Sequence, residues 1–308
     1  MSLERRAAHV RDVRTFFECR GFLEVETPIA VPSPGLDVHL SAFAVQPREG
    51  QREGEPARYL STSPEYQMKR LLAAGHSRIF QLTKAFRQDE QGERHSPEFT
   101  MLEWYRAPAA VDDVMRDTEQ LVARVTGGRV TLGARTIDTR PPFARMTVAE
   151  AFKTFAGVEA EETFAMAAHD EDRFYRLLVD RVEPAIEALD HALFLDEYPA
   201  SQASLARTKP GDPRVAERFE LYVAGVELCN GFGELTDATE QRSRFEADQA
   251  TRRERGLPVY PIDERFLAAL AEGIPPCSGN ALGVDRLVAL ACGTREIADV
   301  MAFAERDL

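Results

Sequence analysis

The chain has few of the features that would place it in a membrane, outside the cell or around a thiol-bound metal. No apolar run is long enough to span a bilayer, and no cationic segment followed by an apolar run opens the sequence, so a cytoplasmic location is expected. The cysteines have neither paired nor metal-type spacing, and we interpret them as reduced thiols; they are Cys19, Cys229, Cys277 and Cys292. Lysine is also scarce, so arginine supplies nearly all of the positive charge; the lysines are Lys69, Lys84, Lys153 and Lys209.

An excess of acidic side chains argues against a nucleic-acid partner. The formal net charge is -13, whereas binding to nucleic acid draws most of its affinity from cationic side chains that neutralise phosphates. We therefore expect no tRNA binding. Several arginines on a predicted helix are interpreted as a solvated face with ion pairs to Glu246 and Glu254, although they could dock an acidic protein. These are Arg242, Arg244, Arg252, Arg253 and Arg255.

The size and pattern of the chain predict one α+β domain. With 308 residues and 44% hydrophobic content it can bury a large core, and a single domain over residues 1–308 is expected. Residues from about 107 to 198 carry no motif with recognisable chemistry and are predicted to form a helix-rich insertion. Because the predicted strands come as hairpins, we expect an antiparallel sheet flanked by helices rather than a doubly wound parallel sheet.

A strand that carries polar groups is predicted within residues 86–106. Its alternation places an aromatic ring, a carboxylate and a phenol on one face, formed by Phe99, Met101, Glu103 and Tyr105. Residues 79–86 are the predicted partner strand, with 88–97 as the hairpin loop and Arg87 at its base. A nucleotide would fit there, with its base on Phe99 and its α-phosphate on Arg87. In most hairpins, however, such residues are sheet core and half of a surface salt bridge.

A second hairpin with carboxylates is predicted within residues 218–235, with its turn at 224–225. Three side chains fall on one face of its second strand: Asn230, Phe232 and Glu234. Glu227 is out of phase and joins them only through a bulge or bend, which Gly231 makes plausible. Glu220 and Glu227 could then hold Mg²⁺, a cation that prefers hard oxygen ligands, but two glutamates on a hairpin are also common as solvated surface.

A glycine-containing turn precedes the last long apolar helix. Gly279 and Gly283 permit close approach of main chain to a ligand, and Asp285 and Arg286 begin the helical run, which ends at Gly293. The planar guanidinium of an arginine grips anionic oxygens in pairs, so Arg286 is suited to phosphate. The alternative is a plain turn before a core helix with a solvated surface pair.

Taken together, these segments resemble the signature motifs and lysine pocket of class II lysyl-tRNA synthetases. The match runs along nearly the whole chain, through Gly21 to Pro28, Thr62 to Arg70, Phe86 to Tyr105, Glu227 to Leu235 and Gly279 to Arg286. Because the first motif already ends at Pro28, no room is expected for the anticodon-binding barrel of the synthetases. The chain is more similar to their stand-alone paralogues, the ligases that attach (R)-β-lysine to a lysine of elongation factor P, and residues 101–106 and 199–206 support this resemblance.

The resemblance implies an AMP-forming ligase that uses ATP and Mg²⁺. Arg87 would bridge the amino acid carboxylate and the α-phosphate, Arg286 would hold the far end of the triphosphate, and Glu220 and Glu227 would hold the metal. Further nucleotide contacts are implied for Asp89, His95, Phe99, Glu227 and Gly283. Asp89 departs from the glutamate that is common at its position, which leaves its nucleotide role in doubt.

The resemblance also implies a pocket for β-lysine. Glu65 would bind the backbone-side amine and Asn230 the carboxylate. The terminal ammonium would meet Glu103, Tyr105 and Glu234. Ser63 and Ala281 match the paralogues, whereas the synthetases usually have alanine and glycine there, and these two residues would reshape the wall near the substrate carboxylate.

Two other interpretations stay open at this point. A truncated synthetase would activate α-lysine for another acceptor, and a non-catalytic module would sense lysine or nucleotide. The family builds its dimer interface from the opening helix and strand, so a homodimer is expected. The natural lysine isomer, the docking surface for the acceptor, the base that deprotonates the acceptor lysine and the role of the insertion do not follow from the sequence.

Overall fold

The computed structural model describes residues 3–46, 57–203 and 205–307, so Ser204 of the 199–206 segment lies outside the described residues. The α-helices are α1 (Leu3–Glu18), α2 (Glu65–Ala73), α3 (Val111–Thr126), α4 (Val148–Ala151), α5 (Ala160–His169), α6 (Glu171–Leu177), α7 (Glu183–Glu187), α8 (Ala238–Glu254), α9 (Glu264–Glu272) and α10 (Val284–Ala291). The strands are β1 (Leu23–Glu24), β2 (Ala30–Val31), β3 (Ala44–Val45), β4 (Arg58–Leu60), β5 (Arg78–Phe86), β6 (Glu98–Arg106), β7 (Arg129–Leu132), β8 (Arg135–Asp138), β9 (Ala144–Thr147), β10 (Leu193–Asp196), β11 (Thr208–Lys209), β12 (Asp212–Ala216), β13 (Arg218–Val223), β14 (Val226–Gly233) and β15 (Ser278–Gly283).

A sheet of eight strands forms the centre of the described part of the chain. Its order is β1-β5-β6-β15-β14-β13-β10-β9. The neighbours from β5 to β10 are antiparallel, as the hairpin pattern predicts. The edge strands β1 and β9 pair in parallel with their neighbours, so the sheet is mixed. The α+β prediction is confirmed, and the antiparallel part is the one that carries the predicted site residues.

Two of the long helices are followed by a glycine with a positive φ. The opening helix α1 buries Val13 and Phe17, and Gly21 follows it with φ 74°. Helix α3 ends at Gly127, which adopts the left-handed conformation with φ 68°. This conformation strains any residue with a Cβ, so a glycine is favoured there.

Different helices pack against the two faces of the sheet. Leu102 and Trp104 of β6 pack in one core with α1, α3 and α10. Residues of the opposite phase of β6 face α2, α8 and α9, where Tyr66 and Phe266 stack with their ring centroids 4.7 Å apart. Because side chains alternate along a strand, one face of β6 supports the fold while the other presents Glu103 and Tyr105 to the site.

The predicted insertion is helix-rich but only partly separate from the sheet. Helices α4 to α7, with π-helical turns at Phe152–Ala156 and Leu178–Val182, build a core of their own against β10. Helix α3 packs in the main core, and β9 and β10 extend the main sheet. Residues 107–198 therefore include structural parts of the central layer.

The arginines on and after α8 are engaged within the protein. Arg242 pairs with Glu264, Arg255 pairs with Glu171, and Arg252 is buried with hydrogen bonds to main-chain oxygens. Arg244 pairs with Glu240 one turn away. These contacts use other acidic partners than Glu246 and Glu254, and they give no support to an arginine patch for docking an acidic protein.

Candidate active site

One cavity of about 200 Å³ gathers most of the predicted site residues. It lies over the face of the sheet that carries Glu103 of β6, Asn230 of β14 and Ala281 of β15. The start of α2 and the hairpin loop after β5 also line it. The predicted residues that line it are Ser63, Glu65, Arg87, His95, Phe99, Glu103, Glu227, Asn230, Ala281, Gly283 and Arg286. Segments far apart in sequence thus converge on one site.

Glu103 is a buried carboxylate held by two hydroxyl groups. Ser63 donates a hydrogen bond to Oε1 at 2.5 Å, and Tyr105 donates one to Oε2 at 2.9 Å. Burial raises the pKa of Glu103 to about 7, and the negative charge of Glu65 adds to this shift, while the two hydrogen bonds oppose it. Near neutral pH this group can lose its proton when a cation arrives.

The hairpin of β13 and β14 has the bulge that the predicted site required. Leu221 pairs with Cys229 and Tyr222 pairs with Glu227, so Leu228 is the extra residue. The bulge brings Glu227 into phase with Asn230 on the cavity side. It lies at Leu228, whereas Gly231 has a different task, because a Cβ there would meet the ring of Phe219 at 2.3 Å.

Strand β15 forms the floor between the two ends of the cavity. Ala281 pairs with Glu103 on one side and with Asn230 on the other, so its methyl group stands between the ammonium side and the carboxylate side of the predicted pocket. Ser63 contacts Glu103, which is the ammonium side. Gly279 lies farther along, where a Cβ would meet Tyr105 at 2.2 Å and Glu234 at 2.7 Å.

Arg286 is held at the far end of the cavity. Its guanidinium lies 2.8 Å from His95 Nε2 and donates to the main-chain oxygens of Arg94, at 3.1 Å, and Glu227, at 2.9 Å. Burial lowers the pKa of His95, and the charge of Arg286 lowers it further. A neutral imidazole that accepts from Arg286 is consistent with these contacts, and it leaves the arginine charge available to an anion.

Arg87 lies at the base of the hairpin loop, as predicted. Its guanidinium is 5.1 Å from the centre of the Phe99 ring and forms an ion pair with Glu90 at 3.1 Å. Asp89 is exposed and does not line the cavity, whereas Glu90 does. The acidic residue that accompanies Arg87 is therefore the one after Asp89.

Lys69 connects two of the predicted substrate carboxylates. The side chain is 1% exposed, and Nζ lies 2.5 Å from Glu65 Oε1 and 2.5 Å from Glu234 Oε2. Although burial acts to lower the pKa of Lys69, the two carboxylates raise it above its usual value. Burial raises the pKa of Glu234 to about 8, and Lys69 opposes this shift. The lysine is therefore a cation at neutral pH that contacts two carboxylates predicted to bind cations. Glu65 lines the cavity, whereas Lys69 and Glu234 are not among its lining residues.

Glu220 is enclosed by donors, and Glu227 is not. Glu220 accepts from Tyr198 at 2.5 Å, from Tyr222 at 2.8 Å and from Arg218 at 2.5 Å. The carboxylate of Glu227 lies 4.0 Å from the guanidinium of Arg286. Burial raises the pKa of Glu227 to about 7, and repulsion by Glu220 contributes. Within the described ranges, no group of three or more His, Cys, Asp or Glu residues could hold a metal ion.

Sequence reasoning missed three basic groups of the site. Lys69 follows Glu65 by four residues, a spacing that favours an ion pair on a helix such as α2. Arg218 donates to Asn230 Oδ1 at 3.2 Å, so it orients the amide and leaves the Asn230 NH₂ group for a ligand. Arg94 lines the cavity. The last two depend on contacts across the fold, for which the sequence contains no local pattern.

A search of the helices in the described residues finds none with the length and apolar character needed to cross a membrane.

Comparisons with known proteins agree with this arrangement. The family model described as tRNA synthetases class II (D, K and N) matches residues 1–307. A protein of Avibacterium paragallinarum named elongation factor P--(R)-beta-lysine ligase is 44% identical over 318 residues, which cover 98% of this chain and 95% of the relative. Proteins with the same name from Salmonella paratyphi B and Proteus mirabilis are 45% and 46% identical over 311 residues, covering 98% of this chain and 94% of each relative. The chain therefore belongs to the class II tRNA synthetase family and, within it, to the elongation factor P--(R)-beta-lysine ligases.

Proposed function

We propose that this protein activates (R)-β-lysine with ATP and transfers it to the ε-amine of a lysine of elongation factor P. The observation that carries the proposal is the convergence of Arg87, Arg286, Ser63 and Glu103 in one cavity, with Tyr105 hydrogen-bonded to Glu103 from outside the lining. The names of the relatives supply the substrate and the acceptor. An acceptor that works in translation places the reaction in the cytoplasm, and the acidic net charge of -13 argues against tRNA as acceptor.

In the first step the β-lysine carboxylate attacks the α-phosphorus of ATP. A phosphorus–oxygen bond forms to the carboxylate, and the bond to pyrophosphate breaks. Arg87 would neutralise the carboxylate and the α-phosphate as they approach, with the adenine base on Phe99 and beside His95. Arg286 would bind the outer phosphates, and the amide of Asn230 would orient the carboxylate. Positioning and charge stabilisation then supply most of the rate.

The residues present fit Mg²⁺ through Glu227. Its carboxylate lines the cavity, and its pKa is raised by burial and then by the negative charge of Glu220, a repulsion that a divalent cation would relieve. Glu220 already accepts three hydrogen bonds, which leaves about one of its four lone-pair positions for a metal. Mg²⁺ usually takes one or two carboxylates and completes its shell with waters and phosphates. When bound it would offset the charge of the triphosphate.

In the second step the acceptor lysine attacks the acyl carbon of the adenylate. An amide forms, AMP leaves with the electrons of the broken carbon–oxygen bond, and the attacking amine gives up a proton. Ala281, between Glu103 and Asn230, together with Ser63 would tune the fit to a β-amino acid. Moving an amine by one carbon changes binding by about 1–3 kcal/mol in such pockets.

A homodimer through α1 and β1 belongs to the same proposal. The family resemblance assigns this segment to the dimer contact, and Leu23 of β1 has an apolar side chain that is 52% exposed. Light scattering coupled to gel filtration of wild type and Leu23→Glu tests it. A dimer in the first and a monomer in the second is expected.

Isotope exchange between ATP and pyrophosphate tests the activation step. We expect (R)-β-lysine to stimulate exchange more than α-lysine, and elongation factor P to gain the mass of one β-lysyl group at a single lysine. Stronger stimulation by α-lysine, together with transfer to tRNA, would instead show a truncated synthetase. Absence of exchange with either isomer in a folded, ATP-binding protein would indicate a sensing module.

A further inference from the structure

Lys69 is the buried charge that the proposed chemistry leaves without a task. It extends from α2 between Glu65 and Glu234, and its ammonium group lies 2.5 Å from an oxygen of each. Both carboxylates are predicted to bind substrate ammonium groups. A cation of the protein therefore already occupies part of the negative site.

The charged groups that meet at this point come from three segments, and the neighbouring Arg207 is paired with Glu217 at 2.5 Å. Helix α2 supplies Glu65 and Lys69, β6 supplies Glu103, and the end of β14 is followed by Glu234. The hydroxyl of Tyr105 and the thiol of Cys277 are neutral, since burial raises the pKa of both. Arg87 acts on Glu103 more weakly than any of its direct partners. Three carboxylates and one ammonium leave two net negative charges when the pocket is ionised.

One oxygen of Glu234 has no hydrogen-bond donor in the described part of the ligand-free protein. Glu234 is 1% exposed, and the oxygen without a donor is Oε1. It faces Gly279, where a Cβ would meet Oε1 at 2.7 Å. A buried carboxylate oxygen without a partner is unfavourable, and a substrate ammonium would complete it.

We propose that Lys69 sets the charge selectivity of the amino acid pocket, by cancelling one of three carboxylates so that the site accepts a substrate with two ammonium groups. A substrate with one ammonium would leave a buried negative charge unpaired. This inference rests on the proposed function, and it concerns the class of substrate. Both α-lysine and β-lysine carry two ammonium groups, so the choice between these isomers falls to other residues such as Ser63 and Ala281.

The test changes the net charge of the pocket by one unit at a time, with substitutions that keep the side chains similar in size. The probes are (R)-β-lysine and 3-aminohexanoate, which has the same chain without the terminal amine, and calorimetric titration at about pH 8 gives the dissociation constants. Wild type should bind β-lysine, the probe with two ammonium groups, at least tenfold more tightly than 3-aminohexanoate. Glu234→Gln leaves one net negative charge, so this preference should fall at least tenfold. Lys69→Met leaves three, whose mutual repulsion makes them take up a proton that competes with the substrate, so binding of β-lysine should weaken at least tenfold and recover as the pH is raised.

The double variant Lys69→Met, Glu234→Gln separates charge from structure. It restores two net negative charges, so the preference for β-lysine over 3-aminohexanoate should return to within a few-fold of wild type, although two native side chains are missing. Lys84→Met, at an exposed lysine paired with Glu98, is the matched control and should bind both probes as wild type does. Thermal melts report folding, and if Lys69→Met does not fold, wild type, Glu234→Gln and the double variant still decide the result.

Two results would overturn the inference: a double variant that binds no better than Lys69→Met, or a wild-type protein that fails to discriminate between the probes. Failure of the proposed function has a separate signature. It would appear as absence of β-lysine-dependent exchange in wild type, while the binding titrations require no turnover.

Discussion

The hydroxyl of Ser63 donates a hydrogen bond of 2.5 Å to Oε1 of Glu103, and this contact joins the start of α2 to the middle of the central sheet. It uses one side of the carboxylate that is proposed to bind the terminal ammonium of the substrate. The same Ser63 oxygen accepts from the main-chain NH of Glu65 at 3.1 Å. The hydroxyl therefore positions both carboxylates on the ammonium side of the pocket.

Removing this hydroxyl should weaken substrate binding. A hydrogen bond to a charged group is worth about 1.5–3 kcal/mol, so Ser63→Ala should raise KM for β-lysine by about tenfold or more, with a smaller effect on kcat. The hydrogen bond also lowers the pKa of Glu103, so the variant should need a higher pH to reach its full affinity. Exchange kinetics across pH test this, and Ser201→Ala, which loses only a contact to the Ala167 carbonyl, is the control.

The affinity for β-lysine should depend on the ionisation of Glu103. Its pKa is raised to about 7, and only the ionised form pairs with an ammonium group. Affinity should therefore be high above this pH and decline as the pH falls through it. Calorimetric titrations over that range check the sign, and Glu103→Gln should bind weakly at every pH. A wild-type affinity that is flat across the range would contradict the assigned role.

The stability of the ligand-free protein should also carry this signature. Glu103, Glu227 and Glu234 have pKa values raised from 4.5 to about 7, 7 and 8. A carboxyl that holds its proton more tightly when folded stabilises the fold below its unfolded pKa, and this stabilisation is lost as the pH rises through the folded value. The melting temperature should therefore decline from about pH 5 to about pH 8. Saturating β-lysine, which favours the ionised carboxylates, should flatten this decline.

Arg87→Ala should abolish most of the adenylation activity. Removing one group that stabilises the charge of a transition state costs about 100- to 1000-fold in rate. Pyrophosphate exchange at saturating substrates measures the loss. Arg253→Ala is the control, because Arg253 is exposed on α8 and donates a hydrogen bond to Gln249 outside the candidate site, so it should retain full activity. Unaltered exchange in Arg87→Ala would remove Arg87 from the mechanism.

The ion pair between Arg6 and Asp285 should stabilise the helix that bears Arg286. Arg6 of α1 lies 2.6 Å from Asp285, which is 3% exposed and also accepts from the main-chain NH of Thr100. Arg6→Ala leaves this buried carboxylate without its cation, and a loss of about 3 kcal/mol of unfolding free energy is expected. Arg14→Ala, on the same helix as Arg6, breaks the exposed pair with Glu24 of β1 and should cost less than about 1 kcal/mol. Denaturant titrations of both variants give the comparison.

Periodicity and glycine placement were sufficient to predict much of the site. The alternation in β6 correctly placed Glu103 and Tyr105 on one face, and the turn at Ala224 and Gly225 is present, with φ 55° and 73°. The need for a bulge near Glu227 also followed from phase alone. These predictions succeeded because side-chain direction in a strand depends only on position along it.

The assignment of the helix-rich region needed more than local pattern. Nothing in residues 107–198 showed that β9 and β10 extend the central sheet while α4 to α7 pack among themselves. Strand pairing is set by partners that are distant in sequence. A short apolar segment therefore has the same pattern whether it joins the central sheet or packs in a separate core.

Local pattern was thus enough to predict the two hairpins that carry the candidate site, and the family resemblance supplied the roles proposed for their residues. The folding of the whole chain decided what each of these side chains contacts. It brought Lys69 of α2 between Glu65 and Glu234, enclosed Glu220 among Tyr198, Tyr222 and Arg218, and left Asp89 exposed. The physical reason is that the charge state of a buried group, and the hydrogen-bonding positions it has left for a ligand, depend on every neighbour within a few ångströms. Those neighbours come from segments that are far apart along the chain.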